Sequence, residues 1–295
     1  MGTTKRQKAA CAYIVTAAVL WGVIGLFYRT LSARGFSAMQ IVAIRLCTAA
    51  AVLLAYLLLV EPKKLKIQLR DIPWFAGMGM GSLVLFNWCY FNAMEQMSLA
   101  AAAVLLYTSP VFVILMSALF FKERLTRRKL LAIALAMAGS AFVSGLVGSQ
   151  FHMSVGGLLY GLGSGFGYAL YSVLGTVLLR KYEPETVSLF SFLFAAAGSL
   201  LLAGFGPEQL ANLLNPLAAA CAVGIGVVCT MLPFTIYTIG LKWVPASRAA
   251  VFATLEPAVA AVTGLCLFHE EIDLWKIGGI CLIFGGILLL RNGSK

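Results

Sequence analysis

The sequence predicts an all-α membrane protein: ten transmembrane helices as two inverted five-helix repeats, with both termini cytoplasmic. Three observations carry that prediction. The composition is too poor in charge for a water-soluble fold, apolar runs of helix length follow one another along the chain, and the second half repeats the first at a fixed offset.

Of 295 residues, 61% are hydrophobic and 11% charged, with a mean hydropathy of +0.93. A soluble domain carries about a quarter of its residues as charges. So few charges cannot coat a water-exposed surface, and lipid is the fitting solvent. The net charge of +11 comes from basic residues in short runs between apolar stretches. That pattern marks topology at an anionic membrane surface and argues against a nucleic-acid partner. The seven cysteines, at positions 11, 47, 89, 221, 229, 266 and 281, all fall inside apolar segments without a C-x-x-C pair. They read as small packing residues rather than a disulfide framework or zinc site.

A spanning helix needs about 20 mainly apolar residues. Reading from one charged break to the next gives spans at 9–28, 37–60, 73–94, 98–121 and 130–149. The second set lies at 155–179, 186–205, 215–241, 247–268 and 274–290. The first run follows Lys5, Arg6 and Lys8, as a signal peptide would, but its length of 20 residues and the apolar segments that follow favour an uncleaved helix. From Leu130 to Leu179 there are 50 residues without Asp, Glu, Lys or Arg, which must be two crossings turning near Gly148, Ser149, Gln150 and His152.

Lys and Arg in the short loops set orientation. With the N-terminus inside, 18 of the 22 basic residues fall on the cytoplasmic side. Outside are only Arg29, Arg34 and Lys276, while Arg45 lies within a span.

The halves are related. A shift of 147 residues lays Gly77–Gly139 on Gly224–Gly286 with identities that include Tyr90/Tyr237, Pro110/Pro257, Phe121/Phe268, Glu123/Glu270 and Lys129/Lys276. Five helices per half is an odd number, so the second half inserts upside down relative to the first. The loops agree: Lys122–Lys129 is basic, and its counterpart from His269 to Lys276 is acidic. The expected units are residues 1–149 and 150–295.

The residues Trp21-Gly22, Arg45, Thr108-Ser109-Pro110 leading to Phe121-Lys122-Glu123, and Leu255-Glu256-Pro257 leading to Phe268-His269-Glu270 carry a resemblance. The chain, over roughly residues 10–290, resembles the EamA-like bacterial permeases of the drug/metabolite transporter superfamily. The resemblance implies ten helices around a central cavity, the fifth and tenth peripheral, and alternating access between the halves. Members export amino acids, metabolites and drugs.

A charge at bilayer depth is costly, so intramembrane ionisable residues are the first candidates. Arg45 suits attraction of a carboxylate, or snorkelling to the outer interface. Glu256, directly before Pro257, suits a cationic group or a coupling proton; the bland alternative is a salt bridge to Arg45 or Arg248. Ser109 is its counterpart in the first half. Asn87 can bind a solute or hydrogen-bond between helices. Trp21, Tyr107, Tyr168, Tyr171 and Tyr237 are candidate cavity aromatics, of which only two or three are expected to meet a solute. Gly157, Gly161 and Gly165 recur every four residues, with Gly163 and Gly167 beside them. No strand precedes this run and no lysine follows, so close helix packing outweighs a nucleotide loop; Gly77 and Gly81 fit the same account.

The expected function is secondary transport, an exporter of a small organic metabolite, amino acid-like solute or drug, in which proton coupling would have Glu256 as its carrier. An organophosphate or nucleotide-sugar exchanger is the alternative, weakened because only Arg45 is a cation at depth and phosphate wants several. An intramembrane enzyme would need paired carboxylates, H-E-x-x-H or a nucleophile with its base, none of which the sequence offers. A non-transporting scaffold would leave Arg45 and Glu256 without a role. No cofactor or metal is expected. The expected surroundings are the bacterial cytoplasmic (inner) membrane, with a homodimer through the peripheral helices as a further option.

Overall fold

The structure, a computed structural model, describes residues 2–146, 154–269 and 273–291. The turn expected near residues 148–152 lies outside them. All regular elements among the described residues are helical. In order they are α1 (Gly2–Gly22), α2 (Ile24–Ser32), α3 (Ala38–Val60), α4 (Ile72–Met78), α5 (Leu85–Gln96), α6 (Leu99–Leu106), α7 (Ser109–Phe121) and α8 (Arg127–Val143). The second half holds α9 (Val155–Leu178), α10 (Pro184–Ala203), α11 (Pro207–Leu213), α12 (Pro216–Gly226), α13 (Leu232–Leu241), α14 (Ala246–Ala253), α15 (Leu255–Phe268) and α16 (Leu274–Arg291).

Several neighbouring helices form one rod. α4 and α5 are joined by a widened π turn at Gly79–Val84, and α12 and α13 by another at Val227–Met231. Among the described residues six rods are long and apolar enough to cross a membrane: Arg6–Ser32, Ala38–Val60, Leu99–Phe121, Pro184–Ala203, Pro216–Leu241 and Ala246–Phe268. Their outward faces carry exposed apolar side chains, such as Leu115, Leu119 and Phe120 on α7 and Leu200, Leu201 and Leu202 on α10. A water-soluble monomer rarely shows patches of that kind, whereas acyl chains cover them at no cost.

Local sequence sets the ends. Ser37 and Gln40 form a reciprocal capping box at the start of α3. Ser98, Thr126 and Ser154 each accept a backbone N–H at the start of α6, α8 and α9. α7 and α15 both end on a phenylalanine followed by a residue in the left-handed region, Lys122 (φ 54°) and His269 (φ 53°).

Those two residues are 147 apart, and the offset recurs throughout. It relates the two π turns and the break at Tyr107 to the break at Thr254. It also relates the Thr126 cap on Lys129 N to the Asp273 cap on Lys276 N. Packing obeys the same exchange. α5 lies on α9 as α13 lies on α1, while α3 pairs with α10 and α8 with α16. In that last pair a Cβ on Gly139 would stand 2.6 Å from the Gly279 carbonyl, and one on Gly286 would stand 2.7 Å from that of Ala132.

The glycines of α9 have a definite use. A Cβ on Gly161 would meet Leu105, and one on Gly165 would meet Thr108 and the Leu105 carbonyl at 2.6 and 2.7 Å. The stripe therefore seats the broken joint between α6 and α7 against α9. Gly81 does not fit that account: nothing lies within 4 Å of its Cβ position, and Gly77 makes only ordinary contact. On that rod Gly79 makes the close approach instead, 2.6 Å from the Ser191 carbonyl.

Candidate functional site

Two features bring polar side chains to the centre of the bundle. The first is the pair of broken rods. At each break a threonine hydroxyl bonds back to a carbonyl three residues earlier, Thr108 to Leu105 and Thr254 to Val251, both at 2.6 Å. Pro110 and Pro257 follow inside the first turn of α7 and α15, where a missing N–H costs nothing. Glu256 is the second residue of α15, so its carboxylate stands at the positive end of that helix. The second feature is the π turn before α5. Asn87, one helical turn beyond Leu83, donates its Nδ2 to the Leu83 carbonyl at 2.7 Å, and its Oδ1 accepts from Arg45 Nη2 at 3.4 Å.

These residues face one cavity of about 720 Å³, within the usual range for a small-molecule site. Of the sequence candidates, Trp21, Arg45, Asn87, Tyr107, Tyr168 and Glu256 line it. It runs out to the end of the bundle where Arg29, Leu99, Phe268 and Lys276 lie. There the Arg29 guanidinium sits 4.0 Å from the centre of the Phe268 ring. Tyr28, Phe86, Tyr90 and Phe234 complete much of the aromatic wall. Sequence reasoning did not single these out, although the 147-residue offset pairs Tyr90 with Tyr237.

Glu256 is not in a salt bridge with Arg45 or Arg248. It accepts a hydrogen bond from the Tyr168 hydroxyl at 3.2 Å, and no Lys, Arg or His nitrogen lies within 4.0 Å of it among the described residues. Arg45, 7% exposed, likewise has no carboxylate within 4.0 Å, and its Nε has no acceptor. Two ionisable side chains of opposite sign, Arg45 buried and Glu256 partly buried, thus line one cavity without a direct ion pair between them.

Ser109 and Tyr237 lie elsewhere. With Ser172 and Ala250 they bound a separate void of about 20 Å³, to which Trp21, Tyr168 and Phe234 also contribute. Tyr171, buried, is in this wall too and bonds to Thr238 at 3.0 Å. Tyr237 and Ser172 share a hydrogen bond of 2.7 Å.

The end of the bundle opposite the cavity mouth is tied across the halves. Ser247 of α14 donates to Glu123, which also pairs with Lys129 at 2.9 Å. Lys64 meets Glu185 at 3.3 Å, and Lys181 and Tyr182 both bond to Asp71. α14 packs on α7, α8 and α9, but among the described residues α6 does not pack in the same way on α15, α16 and α1.

The EamA-like transporter family model matches the chain twice, at residues 8–145 and 155–292. The chain belongs to the EamA-like transporter family. An uncharacterised transporter of Archaeoglobus fulgidus is 29% identical over 285 residues, covering 94% of each chain. The threonine/homoserine exporter RhtA of Escherichia coli is 26% identical over 268 residues, covering 86% of this chain and 83% of its own. A protein of known crystal structure shares the fold at a TM-score of 0.80, with 21% identity and 96% coverage of both. As an EamA-like chain with several apolar rods, this is a multi-pass membrane protein of a transporter family.

Proposed function

We propose that this EamA-like protein is a secondary exporter of a small zwitterionic or amino acid-like metabolite, working by alternating access in the bacterial cytoplasmic membrane. The observation that carries the reading is the unpaired charge of each sign in one cavity. Burying an ion without a partner costs several kcal/mol, a cost that a solute bearing both charges removes. Its carboxylate would sit against Arg45 and Asn87, and its ammonium against Glu256 among the tyrosines. The RhtA relative, named for threonine and homoserine, supports the same class.

In this reading the ten helical rods cross the bilayer as two inverted five-helix units, residues 1–149 and 150–295, with both termini inside. The basic loops then lie at the tied end and the cavity faces outward, so the described state is the one that releases solute. Glu256 is the carrier of a coupling proton. Phosphate esters fit less well, because among the described residues Arg45 is the one cation deep in the cavity, and Glu256 would repel them.

A thermal-shift screen of the purified protein tests this. Amino acids should raise the melting temperature, while the matching amines, carboxylic acids and sugar phosphates should not. Stabilisation by phosphates alone would sink the proposal.

A further inference from the structure

The turn between α7 and α8, at the tied end, carries Lys122, Arg124, Arg127, Arg128 and Lys129 against a single acid, Glu123. That acid is already engaged: it pairs with Lys129 at 2.9 Å and accepts from Ser247. Lys122, Arg124, Arg127 and Arg128 are exposed, and among the described residues no carboxylate lies within 4.0 Å of them. Arg180, just past α9, adds another exposed guanidinium, 5.4 Å from the centre of the Phe121 ring. Other loops at this end spend lysines on carboxylates, Lys64 on Glu185 and Lys242 on Glu183.

The turn itself does not need these charges. Its counterpart 147 residues on has the same left-handed residue after a phenylalanine, yet Glu271, Leu274 and Trp275 stand in place of Arg124, Arg127 and Arg128. There the helix begins with an acidic cap, Asp273 accepting from the Lys276 N–H, as helix electrostatics favour. α8 instead sets Arg127, Arg128 and Lys129 in its first turn, at the positive end, where cations are unfavourable. An external anion removes that cost. The surface beside the cations says which anion. Arg127 shares a face of α8 with Leu130 and Leu131, and the exposed stripe continues through Ala134 and Ala138. A soluble anion would use the cations and leave that stripe bare, whereas a phospholipid covers both.

We propose that the corner of α7 and α8 is a binding site for an anionic phospholipid, its phosphate held by Arg124, Arg127 and Arg128 and an acyl chain laid along Leu131, Ala134 and Ala138. The guanidiniums offer paired N–H donors to the phosphate oxygens. The bound headgroup offsets the repulsion among the arginines and at the positive end of α8. It thereby supports the first turn of the helix in which Lys129 meets Glu123. The proposal rests on the reading that the apolar rods cross a bilayer with the basic loops at its anionic cytoplasmic surface. It does not depend on which solute is carried.

Thermal unfolding of the full chain in detergent, titrated with phosphatidylglycerol or with phosphatidylcholine, tests it. Phosphatidylglycerol should raise the melting temperature at lower lipid concentration than phosphatidylcholine does. Removing one arginine should weaken the apparent affinity for phosphatidylglycerol about fivefold, from roughly 1 kcal/mol per basic residue at an anionic surface. Arg127→Gln with Arg128→Gln should therefore abolish most of the preference, while Lys63→Gln with Lys66→Gln, an equal loss of charge in another loop at the same end, should preserve it. Should the arginine pair fail to fold, Arg124→Gln alone provides the same readout. An equal loss from both pairs would mean general surface charge and would overturn the site. So would equal stabilisation by the two lipids, or by inorganic phosphate in place of phosphatidylglycerol. A selective lipid effect in a protein that no amino acid stabilises would instead remove the solute assignment and leave the lipid site standing.

Discussion

Tyr168 donates its hydroxyl to Glu256 Oε2 across 3.2 Å, linking α9 to the first turn of α15. It is the hydrogen bond that the described structure gives the Glu256 side chain, and it comes from a residue that lines both the cavity and the small void beside it. Tyr168→Phe keeps the ring and removes the bond. A charged acceptor that loses a buried donor is destabilised by about 1–3 kcal/mol. Transport efficiency should therefore fall about tenfold or more, with folding unchanged. Counterflow in vesicles measures it, and wild-type efficiency would show that the bond does not position the carboxylate.

Glu256→Gln tests the proton. A carboxylate that takes up and releases a proton each cycle gives the flux a pH dependence, which an amide of nearly the same shape cannot supply. The variant should transport slowly and with a flat pH profile. An unchanged profile at unchanged rate would make Glu256 a structural residue.

The contact between Ser247 and Glu123 holds α14 at the tied end, and Lys129 secures the same carboxylate at 2.9 Å. Glu123→Gln combined with Ser247→Ala should shift the population toward the state open at that end. Spin labels at Arg124 and Lys242 would then show a longer distance component. A distribution identical to that of the parent would show that these bonds do not hold the end shut.

Asp71, at the end of a short 3-10 turn (Leu69–Asp71) before α4, bonds to Lys181 and Tyr182, and these partners hold its carboxyl below the ordinary value of 3.8. A depressed pKa means that the bonds add stability above about pH 4 and lose it as pH falls through the lowered value. The melting temperature of the detergent-solubilised protein should drop in that acid range, and Asp71→Asn should flatten the drop. The Lys181 side chain is 36% exposed, so added salt should weaken the effect. An acid limb that Asp71→Asn leaves unaltered would assign it to other carboxylates.

Much of the fold was legible because bilayer thickness dictates span length and inverted repetition leaves a fixed offset. The rods fall where the apolar runs do, and Pro110 and Pro257 mark the broken joints. The π turns were not legible, since Gly79–Val84 and Val227–Met231 carry no local sequence signal of a wider turn. Glu256 could be picked out as a deep carboxylate, but its partner could not. Tyr168 lies 88 residues away and is chosen by how α9 packs, not by spacing. Ser109 and Tyr237 are central as expected, yet they line the small void, while their offset-related counterparts Glu256 and Tyr90 line the cavity.

Glycine positions that look alike in sequence separate sharply in the structure, which gives a last test. Gly139 sits where α8 crosses α16, with the Gly279 carbonyl 2.6 Å from the position a Cβ would take and Ile283 backbone beyond it. Backbone cannot swing aside as a side chain can, so Gly139→Ala must push the two helices apart. Overpacking of this kind costs about 1–3 kcal/mol, more than the helix propensity that alanine adds. Gly81→Ala meets nothing within 4 Å and should be neutral or slightly stabilising. Thermal unfolding of the two variants side by side decides the matter. A stable Gly139→Ala protein would mean that α8 and α16 are free to move apart, and that this pair does not brace the two halves.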